Sequence, residues 1–307
     1  AIASAVLRRP ARSRRLSSAS FCSAATSSSF GSGSPSRASS VHCDCAADRP
    51  MSRLSAARDS TACARAEIAV VPHLDAVAVG RALAERGERR AWVVTESYFS
   101  MDGDSPDLVA LRRACDAAGA GLLVDEAHAF GVFGPEGRGL CAAAGIEPEV
   151  RVGTLGKAFG AGGAFAAGCR VLTDWLWNRA RSHVFSTGLS PATAAAGRVN
   201  LDRTLRDPSL RATAIRLAER LRAGLRELGA DVRGYGVIVP WVLGAETAAL
   251  QAASLLRSRG VHAVAVRPPT VPEGTSRIRF AVTAAHTDDD VDRALAAVRE
   301  TIACVGR

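Results

Sequence analysis

The chain has 307 residues, 48% apolar and 22% charged, ordinary proportions for a globular protein of one large domain or two. Its formal charge of +9 is concentrated at the front, where residues 1–65 hold ten arginines against three aspartates and leave about +2 for everything after. That distribution does not argue for nucleic-acid binding by the folded part, and no apolar run approaches the length that crosses a bilayer.

Residues 1–65 read as a disordered, targeting-like or aberrant (out-of-frame) segment. Residues 1–40 are rich in Ser, Ala and Arg and contain no acid. The eight cysteines of the chain form no C-x-x-C pair. No metal is therefore expected, and the reducing cytoplasm fits best, with organelle targeting through residues 1–40 as the alternative.

From about Ala66 the pattern becomes regular. "AWVVTES" (Ala91–Ser97) is predicted as a short strand. "SPDLVALRRACDAAG" follows as a helix, with Ser105 as cap, Pro106 in the first position and Asp107 complementing the dipole. Leu108, Leu111 and Cys115 share its inner face, and Gly119 stops it. "GLLVDEAH" then supplies a buried strand over Gly121–Val124. Strand, helix, strand at this spacing is a βαβ unit, so a parallel sheet covered on both faces is expected. "RVGT" and "GAFAAG" are further strands on either side of Lys157, and residues 66–198 read as part of a large domain.

Leu210, Leu217, Leu221, Leu225 and Leu228 fall on one face of a long helix. After it, "VIVPWVL", "ETAALQAASLLRSRG", "HAVAV", "SRIRFAV" and "TDDDVDRALAAVRETI" alternate between strand and helix. In "SRIRFAV" the arginines Arg277 and Arg279 alternate with Ile278, Phe280 and Val282, which predicts a strand open to water on one side. Thr287 is placed to cap the last helix. Residues 199–307 thus read as a smaller C-terminal α+β domain appended to an α/β sheet domain.

One residue stands apart in composition. Lys157 is the only lysine among 39 basic positions. A guanidinium supplies surface charge as well as an amine does, but it cannot lose a proton and attack a carbonyl. In open parallel sheets ligands lie at the carboxyl ends of the strands. Asp125 and His128 close one such strand, Ser100 follows another, and Thr154 and Lys157 close a third. This set suits pyridoxal 5′-phosphate, which needs a lysine for its aldehyde, a carboxylate for its ring nitrogen and donors for its phosphate. "VDEAH" also occurs in helicase ATPases, but no G-x-x-x-x-G-K-[ST] loop precedes it, and Ala158 follows Lys157 where a magnesium-binding hydroxyl would stand.

"TESYFSMDGDSPDLVAL", "LLVDEAHAFGVFGPEGRGL", "GTLGKAFGAGGAF" and "HVFSTGLSPA" together resemble the α-oxoamine synthases, a branch of the fold-type I pyridoxal-phosphate enzymes. The resemblance runs from about Ala66 to the end. It implies a parallel-rich sheet covered by helices, a smaller C-terminal domain, and a homodimer with a shared active site. The implied reaction is decarboxylative condensation of an amino acid with an acyl thioester carried on coenzyme A or a carrier protein. "VRPPTVPEGTSRIRFAVTAAHT" is most similar to members that join L-alanine to a pimeloyl thioester; glycine with an acetyl thioester is the alternative.

Carried over by position, the resemblance makes Lys157 the cofactor-holding lysine and general base and pairs Asp125 with the ring nitrogen. His128 and Ser100 serve the phenolic side of the ring, and Thr154 the phosphate. Ser186 and Thr187 reach the phosphate of a neighbouring subunit, and Arg267 and Thr270 stand near the substrate carboxylate. At the front the chain departs from the family, with neither the phosphate loop nor the histidine that stacks on the ring; "FGSGSPSR" echoes the first faintly and His42 sits in another context. A non-catalytic remnant of the family is therefore the competing expectation.

Overall fold

The computed structural model describes residues 4–8, 66–87 and 90–305. The targeting character of the front segment, "FGSGSPSR" and His42 lie outside the described residues. A six-stranded sheet runs in the order β2 (Glu67–Val70), β1 (Ala5–Arg8), β3 (Ala91–Glu96), β4 (Gly121–Asp125), β5 (Val150–Thr154) and β6 (Ala164–Gly168). β3, β4 and β5 are parallel, while β1 and β6 run antiparallel to their neighbours. β1 corrects the expectation of a structureless front: Ala5 and Val6 are buried between β2 and β3, and Ser4 Oγ meets Thr95 Oγ1 at 3.0 Å. An apolar run this short is lost in the Ser/Arg composition around it.

α1 (Ala76–Ala84) and α2 (Leu108–Ala118) cover one face of the sheet, where Val79, Leu83, Val93, Leu111, Cys115 and Leu122 form the core. Asp107, and not Ser105, caps α2, its Oδ1 accepting the Ala110 amide at 2.9 Å. The Ser105 hydroxyl is engaged elsewhere, on the Tyr235 hydroxyl. Gly119 ends α2 at φ 57°, in the left-handed region that glycine enters at little cost. α3 (Leu140–Ala143) follows. The expected cover on both faces fails at the β6 edge. There the strand is largely exposed, and α4 (Arg170–Arg179) and α5 (Arg181–Val184) bury no residue.

The second sheet is antiparallel, in the order β7 (Asp231–Val232), β8 (Ile238–Gly244), β10 (Ser276–Ala281) and β9 (Val264–Val266). α7 (Ser209–Glu227), α8 (Glu246–Ser258) and α9 (Asp288–Val305) pack against it through Leu217, Leu221, Leu225, Leu256 and Val298. Leu210, expected on the same face of α7, is 37% exposed instead. Thr287 does cap α9, its hydroxyl accepting the Asp290 amide at 3.2 Å, while Asp290 Oδ2 accepts the Thr287 amide at 2.8 Å. The division read at residues 198 and 199 falls inside α6 (Pro191–Arg206), whose even Ala/Arg composition hides its end. No helix among the described residues is long and apolar enough to cross a membrane.

The two sheets meet at the loop after β3. Gly103, at φ 62°, brings its backbone so close to β8 that a Cβ would stand 2.7 Å from the Ile238 carbonyl oxygen. Its own carbonyl accepts the Tyr235 amide at 2.8 Å. Arg277 is 2% exposed and binds Asp102 Oδ1 and the Met101 carbonyl of this loop. Arg279 donates to the Ser100 carbonyl at 2.6 Å. The arginines of β10 therefore face the neighbouring sheet's loop; the expectation that they face water fails because alternation records two faces without saying what covers the second.

Candidate active site

Because β3, β4 and β5 are parallel, their carboxyl ends share one edge. Glu96 and Asp125 end adjacent strands as register partners, and Thr154 ends the third. Asp125 Oδ1 accepts the Ala127 amide at 2.8 Å and so starts the tight turn that carries His128. Thr154 organises the lysine loop: its hydroxyl donates to the Gly163 carbonyl at 3.0 Å and accepts the Gly156 amide at 3.1 Å. Backbone bonds from Leu155 to Gly163 and from Ala161 to Leu155 close the same loop.

These two turns bring Lys157 and His128 together, with Nζ 2.9 Å from the imidazole Nε2. His128 Nδ1 lies 3.5 Å from Glu96 Oε2, and the same oxygen accepts the Ser100 amide at 3.3 Å. Lys157 is exposed as a residue, yet its amine lies against a cavity wall. Partial withdrawal from water pulls its pKa below the ordinary lysine value; Asp125 and Glu96 oppose that pull and Arg279 adds to it. Lys157 is accordingly expected to react with a neutral acylating reagent at lower pH than an ordinary lysine does. Peptide mapping of the pH–rate curve checks this; a curve that coincides with that of the urea-unfolded chain would count against it.

The cavity has a volume of about 600 Å³. Its polar lining includes His128, Lys157, Arg279, Arg211 and Asp207, and Phe130, Val132, Leu210, Val237 and Val282 contribute apolar wall. Burial lowers the pKa of Arg279, which pairs with no carboxylate among the described residues.

The other sequence-predicted residues lie elsewhere. Arg267 is half exposed and bound to Glu246 Oε1 at 2.5 Å, and the Thr270 amide closes the loop on the Arg267 carbonyl. Neither lines the cavity. Ser186 and Thr187 are exposed beyond α5, with the Ser186 hydroxyl donating to the His183 carbonyl. Sequence reading missed Glu96 and Arg279. Glu96 had a findable signal, an acid at the end of a strand, the same position that singled out Asp125.

The family model for aminotransferase class I and II matches residues 56–298. The 8-amino-7-oxononanoate synthase of Anaeromyxobacter dehalogenans is 48% identical over 247 residues, 80% of this chain and 62% of that protein. The chain thus spans about three fifths of the length of this curated relative. Among solved structures, one of SPT with PLP as the internal aldimine superposes with a TM-score of 0.73 at 28% identity, covering 76% of this chain and 60% of the other. An 8-amino-7-oxononanoate synthase from Francisella tularensis shares the fold, with a TM-score of 0.70 at 22% identity over 82% of this chain and 74% of that one.

Proposed function

The chain belongs to the family of class I and II aminotransferases, and within it to the α-oxoamine synthases, and from that premise we propose that it is a pyridoxal 5′-phosphate-dependent acyltransferase. Its reaction is the condensation of L-alanine with a pimeloyl thioester to 8-amino-7-oxononanoate, carbon dioxide and a free thiol, a step of biotin synthesis. The observation that carries the proposal is the contact of the only lysine with His128, beside Arg279, at the carboxyl ends of parallel strands.

The residues present fit the cofactor: an amine of lowered pKa, an acid at a strand end and hydroxyls on the adjoining loops. Lys157 would hold it covalently, Asp125 would pair with its ring nitrogen, His128 and Ser100 would serve its phenolic side, and Thr154 its phosphate. Bound there, the cofactor supplies an electron sink for bond breaking at the substrate α-carbon. The chain's own residues do the rest. Lys157, whose charged form is penalised by burial, takes the α-proton and returns a proton later. His128 at 2.9 Å accepts a proton from that amine or hands one back. Arg279 takes the carboxylate of the amino acid, a role its place in the cavity favours over Arg267. The apolar wall takes the methylene chain of the acyl group and keeps water from it.

The test is borohydride reduction of the protein with cofactor, peptide mapping, and turnover of alanine against glycine with pimeloyl and acetyl thioesters. A pyridoxyl label on Lys157 and preference for alanine with the pimeloyl thioester are expected. A label elsewhere, or none in folded protein, rejects the reading in favour of a non-catalytic remnant; preference for glycine moves it to glycine C-acetyltransferase chemistry.

The same proposal includes a dimer. Val171, Trp175, Trp177 and Phe185 are 60–80% exposed and lie on consecutive elements with Ser186 and Thr187. Exposed apolar side chains gathered in one short stretch of a globular protein mark a contact surface. A second copy seated there would bring the Ser186 and Thr187 hydroxyls toward a neighbouring phosphate. Phe185→Asp combined with Trp177→Asp is expected to convert a dimer to monomer in sedimentation velocity; an unchanged dimer would place the interface elsewhere.

A further inference from the structure

α6 is exposed along most of its length, and the side that is not exposed lies on the loop that carries Lys157. Thr193, Gly197, Asn200 and Thr204 recur on that side at helical spacing. Gly197 is the one buried residue of the helix, and a Cβ there would stand 3.5 Å from side-chain carbons of both Ala161 and Leu155. One turn further on, Asn200 Nδ2 donates to the Phe159 carbonyl at 2.7 Å. A carbonyl only accepts, so the nitrogen of the asparagine amide is the atom that faces it. Among the described residues this is the only side-chain hydrogen bond between α6 and the lysine loop.

The peptide unit whose carbonyl Asn200 holds has a second bond. Its N–H, that of Gly160, donates to the Lys157 carbonyl at 3.1 Å and closes a tight turn from Lys157 to Gly160, where φ is 54°. A peptide unit is planar, so holding its oxygen also aims its hydrogen. The two bonds in line polarise and strengthen one another. Thr154 secures the ends of the loop at Gly156 and Gly163 but does not reach this turn. The buried Phe159 ring anchors its own side chain, and it leaves the peptide that follows free to rotate.

We infer that Asn200 is a positioning residue of this site: by fixing the peptide between Phe159 and Gly160 it keeps the turn at Lys157 closed and the Lys157 amine at His128, a role that rests on the proposed function only in taking Lys157 as the reactive amine. An asparagine that merely fastened a helix to a loop would add stability without deciding which way one peptide faces.

The test compares wild type with Asn200→Leu, which removes the donor, and Asn200→Asp, which keeps the shape and sets an acceptor against the carbonyl. Amide hydrogen exchange is read in the full cofactor-free chain. In both variants the Gly160 amide is expected to exchange about tenfold faster, the worth of one hydrogen bond. The Ala161 amide, bonded to the Leu155 carbonyl, is expected to stay within about twofold and serves as the internal control. Because Lys157 is the only lysine, ¹³C-lysine labelling isolates its side chain. Overhauser contacts from its ε-methylene to the His128 ring are expected in wild type and are expected to weaken in both variants. With cofactor and substrates, Asn200→Leu is expected to lose about tenfold to a hundredfold in kcat with KM within about twofold, the range for a reacting group displaced by an ångström or less.

Unchanged Gly160 exchange, or equal acceleration of Gly160 and Ala161, overturns the inference, as do undiminished contacts to His128 or a wild-type kcat. An aspartate variant that behaves as wild type overturns it too, since shape alone would then hold the turn. Should Asn200→Leu fail to fold, Asn200→Asp carries the same readings, kcat included. A pyridoxyl label found away from Lys157 would sink the proposed reaction and leave the exchange and Overhauser results standing. Unchanged exchange would sink the role of Asn200 and leave the label where it is.

Discussion

Lys157→Arg is expected to be as inactive as Lys157→Ala, with turnover down on the order of 10⁴-fold or more, the upper range for loss of a general acid–base group. The substitution keeps the charge and nearly the length of the side chain. It removes the one property that matters, an amine able to give up its proton. Withdrawal from water, the largest influence on Lys157, makes that loss easier with help from Arg279, against the opposing pull of Asp125 and Glu96. A guanidinium in the same place stays protonated. Side-by-side turnover assays with circular dichroism as a folding control decide the matter. Activity of the arginine variant within a hundredfold of wild type would refute the proposed role.

The parts of the site that rest on chemistry unique to one residue type were legible in the sequence. Lys157 stood out because nothing else in the chain is lysine, and Asp125 and His128 because a buried strand ends on them. The helix α2 and its glycine stop followed from periodicity and turn chemistry. What was illegible depended on partners far away along the chain. Arg277 and Arg279 read as water-facing because a strand's alternation shows only that its two faces differ, and Asp102, in the loop over the second face, lies 175 positions before Arg277. The cap of α2 moved from Ser105 to Asp107 because Tyr235, in the other sheet, takes the serine hydroxyl. β1 was invisible because four residues carry too little pattern to outweigh the polar composition around them, although the gap between β2 and β3 demands a strand. Arg267 drew attention through its two prolines, which fix a loop without fixing what the arginine faces; Glu246 claims it.

The second large effect concerns the joint between the sheets. Asp102→Asn is expected to destabilise the protein by about 3 kcal/mol, the low end for breaking a buried ion pair. Arg277 is 2% exposed and Asp102 13% exposed, and their 2.5 Å contact is the only ion pair of Arg277 among the described residues. The neutral amide leaves a guanidinium charge in a place water does not reach. Carbonyl bonds to Met101 and Thr275 satisfy some of its hydrogens, which is why the cost stays at the low end. The pair itself is imperfect, since Asp102 Oδ2 is buried and unbonded among the described residues. Removing both charges should therefore restore much of the loss, because desolvation of two ions disappears along with their attraction. Urea unfolding of wild type, Asp102→Asn and Asp102→Asn with Arg277→Met measures this. The double variant is expected to lie within about 1.5 kcal/mol of the wild type. A single variant as stable as wild type would mean that water reaches Arg277. A double variant less stable than the single would mean that the pair holds the loop after β3, and with it Ser100 and Glu96, by attraction that apolar packing cannot replace.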